Sequence, residues 1–97
     1  MGYDIILHPI AETEMWDAID WYDSQKDDLG KQFAAEMDFV VSAIQRMPNR
    51  FPLVFDQKRA ALFRRFPYRV IFTINDNTII IIGIFHMHRH LKDVSSR

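Results

Sequence analysis

Apolar residues recur at helical spacing in the first half of the chain. In residues 29–47 they repeat in steps of four and three, which predicts an amphipathic helix of about five turns: Leu29, Phe33, Met37, Val40, Ile44 and Met47. A second stripe in residues 11–25, surrounded by acids, predicts an earlier helix. The polar residues 24–28 form a short connection, and Pro48 ends the second helix because proline excludes the helical conformation of the preceding residue.

The second half changes to runs of β-branched and aromatic residues. These runs are separated by Pro67 and by residues 75–77, which is typical of consecutive antiparallel strands. Residues 79–85 lack polar alternation and therefore predict a central strand covered on both faces. Alternation before them predicts one helix-facing set and one set on the opposite face: Val70, Phe72 and Ile74 against Arg69, Ile71 and Thr73.

These elements predict an α+β fold. A short strand at Tyr3–Leu7 is followed by a two-helix hairpin and then by a three-stranded antiparallel meander, with both helices packed on one face of the sheet. Residues 53–55 are a candidate for one further extended piece. With no linker and no internal repeat in the sequence, residues 1–97 are predicted to form a single domain.

Composition restricts the surroundings in which this chain works. It has no cysteine, so a reducing, cytoplasmic compartment is the simplest expectation. No apolar run is long enough to span a membrane, so we expect no membrane partner. Residues 1–49 hold ten acids and three bases, whereas residues 50–97 hold nine bases and three acids. This asymmetry suggests a surface for an anionic partner, with an ordinary solvated surface as the alternative.

Several kinds of chemistry find little support in the sequence. His86, His88 and His90 alternate onto one face of an extended segment, but without cysteines or nearby acids they do not resemble a metal site, and we predict neither metal nor cofactor. No serine lies at a strand-to-helix elbow. Without a helix rich in lysine and arginine, we also expect no direct specific DNA binding.

Two tryptophans border the buried stripe of the first helix. Trp16 and Trp21 lie roughly 100° to 120° from its centre on opposite sides. These two side chains either pack between helices or form a surface for a partner. Packing is favoured because tryptophan is usually mostly buried.

Several short motifs together resemble a known family. They are the opening Tyr3–Pro9 with Ala11, the Trp21-Tyr22 pair, Leu29-Gly30 with Phe33, the Pro48 loop, Phe66-Pro67-Tyr68-Arg69, and His86 with Arg89. This set is similar to the RelE/ParE superfamily of toxins from type II toxin-antitoxin and plasmid stabilisation systems. The resemblance covers roughly residues 3 to 90. It implies a compact toxin neutralised by a small antitoxin protein.

The resemblance implies two possible targets. The ParE-like branch, which the Phe66-Pro67-Tyr68 turn favours, binds and inhibits DNA gyrase. Target-contact candidates in that branch are Tyr68, Arg69, His86, Arg89 and His90. The RelE-like branch acts on the ribosome and cuts mRNA to leave 2′,3′-cyclic phosphate ends.

Metal-free RNA cleavage requires cations on the phosphate and groups that move protons. If the chain is a nuclease, the resemblance makes Arg69 and Arg89 phosphate clamps, and His86 or His88 the proton-transfer groups. The tail after Arg89 lacks a tyrosine that RelE-like enzymes often carry, so the catalytic set is incomplete. An inactive relic that serves as a binding module is a further alternative.

The antitoxin requires a surface on this chain. Candidates are Trp16, Trp21, Arg64 and Ile71, the last because it lies on the sheet face that the helices leave open. The tail, residues 91–97, is expected to cover that face when the antitoxin is absent. A homodimer of the chain alone is the alternative cover.

Overall fold

A computed structural model describes residues 2–97 of the chain. The elements in chain order are β1 (Asp4–Leu7), α1 (Pro9–Gln25), α2 (Leu29–Arg46), a 3-10 turn (Pro48–Arg50), β2 (Leu53–Phe55), β3 (Lys58–Leu62), β4 (Tyr68–Asn75), β5 (Thr78–His86) and a final 3-10 turn (Leu91–Val94). Both predicted helices are confirmed, and α2 has the predicted length of about five turns. No helix within these residues has the length and apolar content needed to cross a membrane.

The five strands form one sheet in the order β1-β5-β4-β3-β2. β5 has a neighbour on each side, which confirms it as the predicted central strand. The meander has four antiparallel strands rather than three, because Leu53–Phe55 also pairs with β3. β1 lies parallel to β5. The strand that follows the helical hairpin, β2, runs opposite to β1, and the three reversals of the meander bring β5 back to the direction of β1. The predicted α+β class, with both helices on one face, is confirmed.

The helical hairpin is fixed at its start and at its turn. Pro9 occupies the first position of α1, where its missing N–H costs nothing, and the His8 side chain accepts a hydrogen bond from the Ile10 N–H. At the start of α2, the Gly30 N–H donates to Asp23 over 2.8 Å. A Cβ at Gly30 would lie 2.6 Å from the Ile19 carbonyl oxygen, so only glycine permits this close approach of the two helices.

The main core lies between the helices and the sheet. The stripe of α2 packs with Val70 and Phe72 of β4, which confirms the predicted helix-facing set. Its last predicted member, Met47, is an exception, since it follows the end of α2 and is 51% exposed. Phe33 stands at the centre of an aromatic cluster whose other members are Tyr22, Phe63, Phe66 and Tyr68. This cluster joins both helices to the turn between β3 and β4, and so fixes the position of the Phe66-Pro67-Tyr68 segment.

A second, smaller core lies on the opposite face of the sheet. Ile71, Ile82 and Phe85 are covered there by Val94 of the final 3-10 turn, which is fully buried. A bulge makes this possible: Ile71 pairs with Gly83 and Phe72 with Ile81, so Ile82 is an extra residue and the alternation of β5 shifts by one. The tail therefore covers this face of the sheet, as expected.

Candidate functional site

A cleft of about 320 Å³ lies between α1 and the neighbouring ends of β4 and β5. We call it the α1–β5 cleft, and its lining residues are Glu14, Asp17, Ala18, Trp21, Tyr68, Ile84, His86 and Arg89. Tyr68 and His86 face each other across the β4–β5 ladder, and their ring centres are 5.3 Å apart. Residues from three regions far apart in sequence thus form one surface.

The turn before Tyr68 is held by a buried acid of α2. The Glu36 carboxylate accepts hydrogen bonds from the Arg64 and Arg65 backbone N–H groups, the latter at 3.1 Å. Beyond this turn, the Tyr68 N–H donates to the Phe66 carbonyl oxygen over 2.8 Å. A carboxylate bound to two backbone donors rigidifies the turn, and therefore the position of the tyrosine at the cleft.

Glu14 organises the floor of the α1–β5 cleft. Its carboxylate accepts hydrogen bonds from both terminal nitrogens of Arg97, each at 3.0 Å, and from the Ile84 N–H at 3.1 Å. It also pairs with Arg89. The Glu14 and Arg97 side chains are only 13% and 9% exposed, so this is a largely buried, bidentate ion pair. It ties the last residue of the chain to the first helix.

Arg89 is engaged by two carboxylates. It contacts Glu14 on one side and Asp93 at 3.1 Å on the other, and its guanidinium lies 4.1 Å from the centre of the Phe85 ring. Burial acts to lower the pKa of Arg89, but the hydrogen bonds from its guanidinium to Asp93 and Glu14 outweigh burial and raise that pKa. Its charge is therefore compensated within the protein.

Arg69 lies close to Arg89 but has a structural role. Its guanidinium donates to the Arg89 carbonyl oxygen over 2.9 Å, which holds the segment after β5 against β4. Its Nε is buried without a hydrogen-bond partner among residues 2–97. Arg89 thus has two of its three guanidinium nitrogens bound to carboxylates, whereas Arg69 is held through one terminal nitrogen.

The histidines and tyrosines of the site differ in their surroundings. His86 is half-buried, and its Nδ1 accepts a hydrogen bond from the His88 N–H, with the two rings 5.0 Å apart. His90 is exposed just before the final 3-10 turn. Burial raises the pKa of Tyr68, with a smaller contribution from Tyr22. Tyr68 is therefore a neutral phenol at physiological pH.

The structure brings most of the predicted target-contact residues together. Tyr68, His86 and Arg89 line the α1–β5 cleft, and Arg69 is joined to them through the Arg89 carbonyl oxygen. His90 and the nuclease candidate His88 lie just outside, on the same segment. As contact or catalytic residues, all of them stay predictions. Within residues 2–97, no group of three or more histidines, aspartates and glutamates is arranged to hold a metal ion.

The predicted antitoxin contacts are scattered over the surface. The preference for helix packing of Trp16 and Trp21 is wrong, since 53% and 57% of these residues are exposed. The buried stripe of α1 is formed by smaller residues, which leaves the indoles at its borders. Arg64 is exposed, and its guanidinium lies 5.8 Å from the Phe39 ring centre. Ile71 is fully buried beneath Val94, so an antitoxin reaches it only if the tail moves.

Sequence reasoning missed Glu14, Arg97 and Glu36. All three pair with groups between 28 and 83 residues away in the chain. The only local signal was position: Glu14 lies one turn before the buried Ala18, and Glu36 follows the stripe residue Phe33 by three. This spacing from a buried residue is the feature that could have drawn attention to them.

Comparison of the coordinates with solved structures identifies chains that share this fold. The toxin-antitoxin structure of the chromosomal ParDE system from P. aeruginosa contains a chain similar to this one, with a TM-score of 0.77 and 16% identity over 87% of this chain and 95% of that one. A chain of the RelBE2 toxin-antitoxin complex from Mycobacterium tuberculosis is also similar, with a TM-score of 0.59 and 21% identity over 89% of this chain and 99% of that one. Both likenesses show that this chain shares its fold with chains of toxin-antitoxin structures.

The sequence shows the family to which the chain belongs. Residues 5–91 match the family described as the ParE toxin of the type II toxin-antitoxin system parDE, and the chain belongs to that family. A comparison with curated proteins finds no significant match. The predicted superfamily is therefore confirmed, and the chain is a toxin of a type II toxin-antitoxin system.

Proposed function

We propose that this toxin stops growth by binding DNA gyrase in the cytoplasm, as a single domain spanning residues 1–97, and that a small antitoxin protein neutralises it. One observation carries the choice of binding over chemistry. Arg89, the best candidate for a phosphate clamp, has both sides of its guanidinium engaged by Glu14 and Asp93. A cleavage site requires free cationic donors where charge develops on the phosphate.

The contact surface in this proposal is the rim of the α1–β5 cleft. Tyr68 and His86 present aromatic rings there, and His90 is exposed beside them. Rigid aromatic side chains next to a charged group are typical of residues that dominate protein-protein binding energy. The ion pairs beneath the rim hold these groups in place. Binding through the rim requires no chemical reaction.

Ribosome-dependent mRNA cleavage is the second candidate function. It is favoured by the position of His86, His88 and Arg89 on one segment, to which Arg69 of β4 donates a hydrogen bond. Opening of the Glu14 and Asp93 pairs would free Arg89 for a phosphate. If the chain is an inactive relic, we expect neither gyrase inhibition nor mRNA cleavage.

Inducible expression with two parallel assays separates these candidates. Purified chain is added to a gyrase supercoiling reaction, and mRNA from induced cells is examined for 2′,3′-cyclic phosphate ends. Gyrase inhibition without new mRNA ends supports the proposal. New mRNA ends with normal supercoiling refute it in favour of cleavage, and harmless induction supports a relic.

Substitution of Arg69 or Arg89 would also disturb the structure, because both side chains hold it together. Two exposed histidines are therefore used to refine the test. We expect His90→Ala to weaken gyrase inhibition severalfold, whereas His88→Ala has little effect on it. If the chain is a nuclease, His88→Ala lowers cleavage by about 10²-fold or more, because that is the usual contribution of a proton-transfer group. Lys92→Ala, also exposed, is the matched control for a general effect on this segment.

A further inference from the structure

Three shallow cavities share lining residues where α2 ends. One of about 340 Å³ lies between the last turn of the helix and Phe51. Another, of about 280 Å³, lies between Tyr3 and the 3-10 turn that follows the helix, and a third, of about 500 Å³, lies along the last turns of the helix. Arg46 lines all three cavities, and Met47 and Arg50 line two of them. We call Arg46, Met47 and Arg50 the α2-end surface.

The positive charge of the α2-end surface is not compensated by acids. Arg46 and Arg50 are exposed, and neither forms an ion pair within residues 2–97. Among the same residues, no acid lines these three cavities. Asp4 begins β1 nearby, but Ile5 and Leu7 pack against the main core, so Asp4 lies on the opposite face of that strand. An anion that approaches this surface therefore meets two guanidinium groups without carboxylate partners.

The simplest role for these arginines is to offset the dipole of α2. A helix C-terminus carries the equivalent of about half a negative charge, and Arg46 in the last turn is enough to balance it. Arg50 lies beyond the helix. Arg59 brings a third positive charge to the same turn, since its guanidinium donates to the Asn49 and Phe51 carbonyl oxygens. Three arginines against the dipole leave a local charge of about +2.5, far more than the helix requires.

The turn that carries Arg50 is fixed before any ligand binds. Pro48 at its start is buried, and the Phe51 ring at its end packs edge-on against Phe72 of the main core, with ring centres 5.9 Å apart. Arg59 of β3 also donates to the Phe51 carbonyl oxygen over 2.6 Å. A surface whose backbone is already ordered loses less entropy on binding, which favours a role in recognition.

The α2-end surface and the α1–β5 cleft lie at opposite ends of the sheet. α2 ends beside the start of β1, where the Gln45 side chain donates to the Tyr3 carbonyl oxygen over 2.5 Å. The first residue of β1, Asp4, pairs with Thr78 at the start of β5, whereas His86 at the end of β5 lines the cleft. The length of β5 separates the two ends by about 26 Å at the usual rise of a strand. A partner bound at the cleft rim thus leaves the α2-end surface open.

We infer that the α2-end surface binds the phosphate backbone of a nucleic acid without reading its bases. The guanidinium fork of arginine matches the oxygens of a phosphate. Shallow cavities do not enclose a small molecule, which needs most of its surface buried, whereas a polymer with a phosphate at each nucleotide contacts both arginines at once. Such contacts carry no sequence information, in agreement with the expectation of no specific DNA binding.

The duplex DNA on which gyrase acts is the source of phosphate that we assign to this surface. Only this choice of source rests on the proposed function. A toxin that holds gyrase at the cleft rim would contact the DNA of the same complex through its other end. The phosphate chemistry of the surface itself is the same whichever target the toxin has.

The test uses the full chain and a fluorescently labelled DNA duplex, whose anisotropy gives the binding constant at several salt concentrations. Two phosphate contacts predict a slope of log K against log salt of about −1.8 or steeper. Binding should therefore be about tenfold weaker at about 200 mM salt than at about 50 mM. A second duplex of the same length and unrelated sequence should bind equally.

Matched substitutions locate the contact. Arg46→Gln and Arg50→Gln should each weaken binding about tenfold at about 50 mM salt and make the slope shallower by about 0.9. Lys26→Gln, the same loss of charge on the exposed α1–α2 connection, should change neither quantity. Arg46→Lys should keep the slope, because the charge remains. Urea midpoints should be equal in all four variants, which shows that the losses do not come from unfolding.

Three outcomes would overturn the inference. They are binding that does not weaken with salt, equal effects of Arg46→Gln and Lys26→Gln, and a preference of about tenfold or more for one duplex sequence. Tighter binding of a single-stranded RNA of the same length, with the same dependence on Arg46, would overturn DNA as the source.

A gyrase supercoiling assay of the same preparation separates this inference from the proposed function. Duplex binding that depends on Arg46 and Arg50, without gyrase inhibition, would refute only the proposed function. Gyrase inhibition without such duplex binding would refute only this inference.

Discussion

Replacing Glu14 by glutamine should release the C-terminal segment from the rest of the protein. The substitution keeps the size of the side chain but removes the charge that faces Arg89 and Arg97. A glutamine has one acceptor oxygen, which is able to serve the Ile84 N–H or Arg97. Its amide nitrogen would then point at the donors of a guanidinium.

The expected cost follows from the burial of these groups. Removing one partner of a buried ion pair usually costs about 3–5 kcal/mol, because the remaining charge is left without compensation. We expect a value near the lower end, about 3 kcal/mol, since the Arg89 side chain is 40% exposed and keeps its bond to Asp93. A domain of this size has a free energy of unfolding of about 5–15 kcal/mol, so the variant should fold but be much less stable.

Two measurements check this expectation. The free energy of unfolding from urea denaturation should fall by about 3 kcal/mol, and the midpoint of thermal unfolding by about 10–20 °C. Trypsin should cleave the native variant after Arg89 or Lys92 faster than the parent protein, because Val94 no longer stays over Ile71 and Phe85.

Glu12→Gln is the matched control for this variant. Glu12 is exposed on the same helix, and its side chain forms no hydrogen bond or ion pair within residues 2–97. Its loss should cost no more than about 1 kcal/mol, through the helix dipole. If Glu14→Gln and Glu12→Gln have equal stability, or if the tail resists trypsin in both, Glu14 does not hold the tail and the reasoning is refuted.

Three further predictions concern the turn, the cleft rim and the tyrosines. Glu36→Ala should lower the free energy of unfolding by about 2–4 kcal/mol, because two backbone donors lose their acceptor. Asp38→Ala on the exposed side should change it by less than about 0.5 kcal/mol. Equal urea midpoints for the two variants would contradict the role of Glu36 in holding the turn. Trp21→Ala should lower the free energy of unfolding by less than about 1 kcal/mol and Phe33→Ala by about 3–5 kcal/mol, because of these two side chains only the phenylalanine is fully buried. Urea denaturation of both variants checks this. Because the pKa of Tyr68 is raised in the folded protein, this tyrosine ionises first in the unfolded chain as pH rises above about 10. The free energy of unfolding should therefore fall there, and Tyr68→Phe should lessen the fall. Tyrosinate absorbance and urea denaturation across that pH range check this, and an unchanged dependence of stability on pH in the variant would count against it.

Local patterns in the sequence specify the helices, most of the strands and the faces they bury. The steps of four and three in α2, the alternation in β4 and the unbroken apolar run of β5 are each local consequences of helix and strand geometry, so they could be read without knowing the fold. The same patterns predicted the helix-facing side of the sheet and a covered second face. Short motifs then predicted the superfamily, which the family match confirms.

Tertiary structure alone decided how the cleft is built. Glu14 meets Ile84 and Arg97 from 70 and 83 residues away, and Glu36 meets the turn at Arg64 from 28 residues away. A charged residue at a given position looks the same in sequence whether it faces water or a distant arginine. Similarly, the exposure of Trp21 and the burial of Ile71 depend on what packs beside them, and Val94, which covers Ile71, lies 23 residues further along the chain.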